Sequence, residues 1–265
     1  MDEIIHSIFF LGKINDPDFD PESIVTDAKM LVGLKDTYPG PFKCYSSQLP
    51  KRSPFSCVLD MIVLLTGEEN EEEIKKKVRE ISKQLRRGKT SPLISSTICV
   101  SQIPNSVRYY GVSMSTAGCD PGKIMIAASC LSSWDSYVAG AVMTYYPNKT
   151  KKDYFDGTIK LPENVRCEAF NIREGGNKTP KPPCGSCENL FGLKPKEWPY
   201  GNCAEVESLS NLFKNVEEVS EQARPTSANS MEKNRRRAEE SVQKELRRLL
   251  KQHNFTWDGN FFTPQ

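Results

Sequence analysis

The sequence predicts an α/β protein, and three observations predict it. Its first ninety residues read as mainly helical, the composition shifts to β-branched and aromatic residues from about Leu93, and helical periodicity returns from Val206 onward. The same shifts divide the chain into a helical region at 1–90 of unknown role, a region at 91–220 that carries the strands and every chemical motif, and a charged C-terminal helix and tail at 221–265.

In the first region the clearest element begins at Asn70. An N-cap residue there is followed by Glu71, Glu72 and Glu73, and then by Ile74, Val78, Ile81 and Leu85 on one helical face. Arg86, Arg87 and Gly88 suit its end, because cations and then glycine are favoured at a helix C-terminus. The proline-rich stretches 39–41 and 50–54 read as loops. Five strands are expected next, at 93–101, 107–115, 123–130, 137–146 and 166–172, with turns at Asn105 and at 118–122. The run 174–183 is too rich in Gly, Pro, Lys and Asn for regular structure and forms a loop leading into a cysteine pair.

Two helices close the chain. The first, 206–216, carries Leu209, Leu212, Phe213 and Val216, and after a break at 224–230 the second runs to about Gln252. Val242, Leu246, Leu249 and Leu250 form its apolar stripe, which either packs on the body or meets a protein partner. Arg235, Arg236, Arg237, Arg247, Arg248 and Lys251 surround that stripe, but Glu239, Glu240 and Glu245 dilute them. A solvated face with i,i+4 ion pairs is therefore the better reading than a nucleic-acid interface.

Charge is balanced, 36 Lys and Arg against 34 Asp and Glu, so no overall field points to nucleic acid or to a membrane surface. The longest apolar run, 57–66, is interrupted by Asp60 and is shorter than the roughly 20 residues a membrane span needs. The N-terminus opens with acids and lacks the basic start of a signal peptide. A cytoplasmic or nuclear location is the expectation, with the nine cysteines present as thiols or metal ligands. Internal repeats, a P-loop, a dinucleotide-binding glycine fingerprint and a Ser/His/Asp pattern are all missing from the sequence.

Two short stretches carry chemistry. In Pro183-Cys184-Gly185-Ser186-Cys187 the C-x-x-C spacing lets two thiolates grip one Zn²⁺, and Asn202-Cys203-Ala204-Glu205 adds a third. Three protein ligands leave a tetrahedral position open for water, the arrangement of a catalytic zinc site, and Glu205 near the start of the same helix is placed to move that water's proton. Hydrolytic deamination of a nucleobase ring needs that pair of services. Trp198 and Tyr200 are candidates to stack on such a ring, and Asn202 to hydrogen-bond a sugar hydroxyl or base edge. Cys44, Cys57, Cys99, Cys119, Cys130 and Cys167 read as small buried hydrophobes. The stretch Cys167-Glu168-Ala169 permutes the second motif's letters but falls inside an expected strand, and His6 and His253, far from both motifs, read as packing or surface residues.

Pro183-Cys184-Gly185-Ser186-Cys187 resembles the P-C-x-x-C motif of the zinc-dependent cytidine deaminase-like superfamily, and the stretch from Asn202 to Leu209 is similar to its [H/C]-A-E helix start. The resemblance covers about 93–216, and the two motifs stand in inverted order, with the cysteine pair first. It implies a three-layer α/β/α sandwich around a mixed five-stranded sheet, Zn²⁺ held by Cys184, Cys187 and Cys203, and Glu205 as proton shuttle beside a zinc-bound hydroxide. The substrate it implies is a nucleobase in a nucleoside, nucleotide or single-stranded nucleic acid, with cytosine favoured over adenine. The alternatives are a structural zinc module completed by Cys167 or Glu188, and a deaminase fold without turnover that serves as an interaction or innate-defence module.

Overall fold

The computed structural model describes residues 1–86, 92–173, 179–193, 201 and 203–264. Before the first strand come α1 (Asp2–Lys13), α2 (Pro21–Ile24), α3 (Ala28–Thr37), α4 (Pro39–Cys44), α5 (Pro54–Thr66) and α6 (Glu71–Leu85). Strands β1 (Thr97–Gln102) and β2 (Tyr109–Val112) are followed by α7 (Cys119–Ser132), α8 (Ser136–Tyr145) and β3 (Arg166–Asn171). The chain then forms α9 (Gly185–Phe191), α10 (Ala204–Asn215), α11 (Glu217–Gln222), a 3-10 turn at Ala228–Ser230 and α12 (Glu232–Gln252).

The architecture is mixed α/β, with a small antiparallel sheet of order β2-β1-β3 among the described residues. The expectation of five strands is corrected here. Three of them form, while 123–130 lies in α7 and 137–146 almost wholly in α8. The reason is burial. Residues from Ile124 to Cys130 are all buried, as are those from Val138 to Thr144, and a continuous apolar run buried on every side carries no period that separates strand from helix. The expected turn at 118–122 is instead the start of α7, where Gly118 takes a positive φ of 106° as N-cap; Asn105, at φ 63°, does make its turn. The proline stretches are likewise corrected, because Pro39 and Pro54 open α4 and α5, where the missing N–H costs nothing.

The sheet obeys a period of two. Ile98 and Val100 of β1 and Phe170 of β3 point to one face, where they meet Phe55, Leu59, Ile74 and Val78 of α5 and α6. Cys99, Cys167 and Ala169 point to the other, against Ala204 at the start of α10. Register agrees, with Ile98 opposite Phe170 and Cys99 opposite Ala169. An ion-pair hub ties α6 to the strands: Glu71 receives Arg166 at 2.7 and 3.0 Å, Arg108 at 3.1 Å and Lys75 at 2.9 Å. The helix follows its expected span, but Asn70 caps nothing with its side chain and instead donates to the Thr66 carbonyl, and Leu85 is exposed.

The larger core joins α1, α7, α8, α9, α10 and α12, from Phe10 and Ile14 to Leu246 and Leu250. The stripe of α12 is buried in it, and its outer face carries the pairs Arg235–Glu239, Arg236–Glu232 and Arg248–Glu245 at 2.8–3.1 Å. No helix among the described residues is long and apolar enough to cross a membrane.

Candidate metal centre

The site rests on α10, and α10 is fastened to the edge strand β2 by its own side chains. A ladder leaves every second N–H and C=O of an edge strand facing outward. Glu207 accepts the Val112 N–H at 2.8 Å, and Asn211, one helical turn on, donates to the Tyr110 carbonyl at 2.9 Å. Ser208 and Ser101 share a buried hydrogen bond of 2.8 Å between helix and central strand. Gly111 lets this happen. A Cβ there would lie 2.6 Å from the Ala204 carbonyl oxygen and 2.8 Å from the Glu207 Cβ, and would also run into the Ser208 nitrogen.

Cys203 is the N-cap of α10, Cys184 is the N-cap of α9, and Cys187 lies in the first turn of α9. The sulfur of Cys184 is 3.4 Å from that of Cys187 and 2.9 Å from that of Cys203, and all three lie within 4.8 Å of one another. This is the one cluster of three or more metal-ligating side chains among the described residues. The donor set is chemically consistent. Three convergent thiols, half-buried or buried, suit a soft or borderline divalent cation such as zinc, and sulfur must do the work because His6 lies in the core against Phe262 and His253 approaches Asp120 at 3.9 Å. Neither Cys167 nor Glu188 joins the three sulfurs; Cys167 faces Cys99, 3.7 Å away.

Electrostatics within the cluster are lopsided. Contacts with Cys187 and Cys203 pull the Cys184 thiol far below the usual thiol range, while contact with Cys184, with burial, pushes Cys187 and Cys203 far above it, against a downward pull of Cys187 on Cys203. Crowding three sulfurs this closely disfavours a negative charge on more than one of them, and a divalent cation would let the others ionise. Glu205 is buried on the first turn of α10, close enough to Cys187 for that thiol to act on its carboxyl. Burial raises its carboxyl above the usual range, its own backbone N–H opposes that, and the charge on Cys184 adds to it. Glu205 thus lies beside the sulfurs without being one of the set.

Among the other expected site residues, Trp198, Tyr200 and Asn202 lie outside the described residues. Of the six remaining cysteines, Cys57, Cys99 and Cys130 are buried as expected, Cys44 and Cys167 are half-buried, and Cys119 is exposed at the start of α7. Two participants were not singled out in the sequence. Lys181 donates its N–H to the Ala169 carbonyl at 2.7 Å, beside β3, and its charge draws the Glu205 carboxyl down. Glu207 and Cys203 both line a narrow cleft, with Arg52, Ser56 and Trp134, whose space of about 10 Å³ suits a single water. Glu207 had a readable signal, since i and i+2 on a helix face nearly opposite sides and it could not share the side of Glu205.

Comparison with protein-family models, curated proteins and solved structures found no match to this chain. The site therefore defines the protein only as a mixed α/β chain with a three-cysteine cluster able to hold a metal ion.

Proposed function

We propose that this chain is a zinc-dependent hydrolytic deaminase acting on a nucleobase in a nucleoside, nucleotide or nucleic acid, with cytosine favoured over adenine on the motif resemblance alone. The observation that supports this reading most is the convergence of Cys184, Cys187 and Cys203 within 4.8 Å, together with the burial of Glu205 against Cys187. A closed structural site would gain nothing from a buried carboxylate there, and burying one costs free energy that some function or partner must offset.

Cys184, Cys187 and Cys203 would hold the zinc, which would supply the Lewis acidity that makes a water acidic enough to attack. Glu205 would take a proton from the attacking water and pass it to the ring nitrogen, then carry the remaining hydroxyl proton to the departing amine. A carbon–oxygen bond forms, the exocyclic carbon–nitrogen bond breaks, and ammonia leaves. Cys99, Ala169 and Ala204, packed together, keep the sheet side of the helix start dry.

The test is metal content followed by turnover. Purified, reduced protein is expected to carry one zinc per chain, lost on Cys184→Ser, Cys187→Ser or Cys203→Ser. Glu205→Gln is expected to keep the zinc and lose release of ammonia from cytosine or adenine substrates. Wild-type turnover in Glu205→Gln would overturn the mechanism, and metal-free wild-type protein would overturn the site.

A further inference from the structure

The hydroxyl of Ser186 lies 3.0 Å from the Cys184 sulfur and 3.0 Å from the Cys203 sulfur, which are themselves 2.9 Å apart. Its residue is 1% exposed. A buried hydroxyl needs a hydrogen-bond partner, and these two sulfurs are its partners among the described residues. If the position served packing alone, alanine would fill it without bringing a polar group out of water.

From these contacts we infer that Ser186 is a positioning residue of the metal centre, its hydroxyl bridging the Cys184 and Cys203 sulfurs and holding the two cysteine motifs in register around a divalent cation. The inference rests on the reading that the three cysteines bind the metal, and not on deaminase chemistry.

A serine hydroxyl carries one proton and two lone pairs. It can therefore donate to one sulfur while accepting from the S–H of another. Once all three are thiolates the S–H donors are gone, and the hydroxyl can only donate. It then draws negative charge off a sulfur that is shared with the cation, where three thiolates exceed the two positive charges they surround. The placement also has a mechanical side. Cys184 belongs to α9 and Cys203 to α10, and Cys203 comes sixteen positions after Cys187 in the chain. Ser186 is the side chain that touches one sulfur from each motif. Outer contacts of this kind orient metal ligands, and their loss typically weakens metal binding about 10- to 100-fold.

The experiment titrates the full chain and its Ser186→Ala variant with Co²⁺ and with Zn²⁺ against a chromophoric chelator, and records the thiolate-to-cobalt charge-transfer band and the thermal stability of both metal-free proteins. Expected are one Co²⁺ per chain in each, affinity about 10- to 100-fold weaker in Ser186→Ala, a charge-transfer band moved to lower energy because the thiolate has lost a donor, and equal metal-free stability. Unchanged affinity with an unchanged band would overturn the role of Ser186 and leave the metal site standing. Weaker binding with an unmoved band and a matching loss of metal-free stability would reduce Ser186 to packing, also overturning the inference. Wild-type protein that takes up no Co²⁺ at all would overturn the metal reading itself, an outcome distinct from both.

Discussion

Gly111→Ala is expected to damage the fold and the metal centre together. The added methyl would meet the backbone of α10 at the Ala204 carbonyl oxygen, 2.6 Å away, and at the Ser208 nitrogen, and also the Glu207 Cβ at 2.8 Å. None of these is the loose end of a flexible side chain, so α10 must back away from β2 by about 1 Å to restore ordinary contact. A gap of that size forfeits a quarter to a half of the dispersion attraction along the interface, and overpacking of a rigid core costs about 1 to 3 kcal/mol before that loss is counted. The hydrogen bonds from Glu207 to Val112 and from Asn211 to Tyr110 stretch with it. The destabilisation expected is about 3 kcal/mol, a fall in Tm of about 6 to 12 °C for a chain of this size. Ala204 follows Cys203 directly, and metal ligation tolerates errors of only about 0.2 Å, so zinc affinity should fall as well. Thermal or urea unfolding and a zinc competition titration on the purified variant measure both effects. A Gly111→Ala protein that melts within about 2 °C of wild type and keeps its metal would refute the argument that α10 is seated by backbone contact at this glycine.

Other outcomes follow from named groups. Burial alone would raise the Glu71 carboxyl, but Arg166 and Lys75 outweigh it and hold it at about 2 against an ordinary 4.5. Its contribution, at most about 3 kcal/mol, is complete above the ordinary value and is lost as pH falls through 2. The gap in urea midpoint between wild type and Glu71→Gln should therefore shrink from about pH 5 downward, and a constant gap would count against the hub. His6 has the opposite consequence in acid. Burial lowers it from 6.5 to about 4, only partly offset by the Cys44 backbone, so the folded state pays a growing penalty as pH falls from 6.5 to 4. His6→Phe, which keeps the stack on Phe262, should remove about 2 kcal/mol of the loss seen between about pH 7 and pH 5, and identical pH profiles would sink this account. Asp135→Ala should cost about 1 kcal/mol by urea unfolding, because its carboxylate accepts the Tyr137 and Val138 N–H groups at the start of α8; no change would show the cap to be redundant.

What was legible in the sequence divides by physics. Helices with a water-facing side announced themselves: α6 and α12 lie within a few residues of their expected spans. The continuous apolar runs did not. The runs now in α7 and α8 are apolar throughout, so neither period is imprinted on them, and their content of Ile, Val and Tyr tips propensity toward strand. What overrides that propensity is the packing of α7 and α8 against α12, a long-range fact that no local window contains.

The candidate site shows the same division in sharper form. Cys184, Cys187, Cys203 and Glu205 could be singled out because their spacing is local: two ligands within four residues, and a third with its carboxylate within three. Ser186 could not, and Glu207 only through its offset from Glu205 on the helix, because their importance arises where two segments meet. Glu207 is needed because β2 is an edge strand whose outward N–H would otherwise be covered by a helix without a partner. Ser186 acquires its role when Cys203 arrives from another helix to within 3.0 Å. The same anchoring explains why the cluster can be well defined although its two halves are separate in the chain. α10 is pinned to the sheet by Gly111, Glu207, Ser208 and Asn211, so Cys203 and Glu205 inherit the position of the strands. The C-x-x-C half is carried by a helix of seven residues, too short to fix itself, and is held by burial of Cys187, Leu190 and Phe191 in the main core. The rigid half sets the position, and the short half is brought to it.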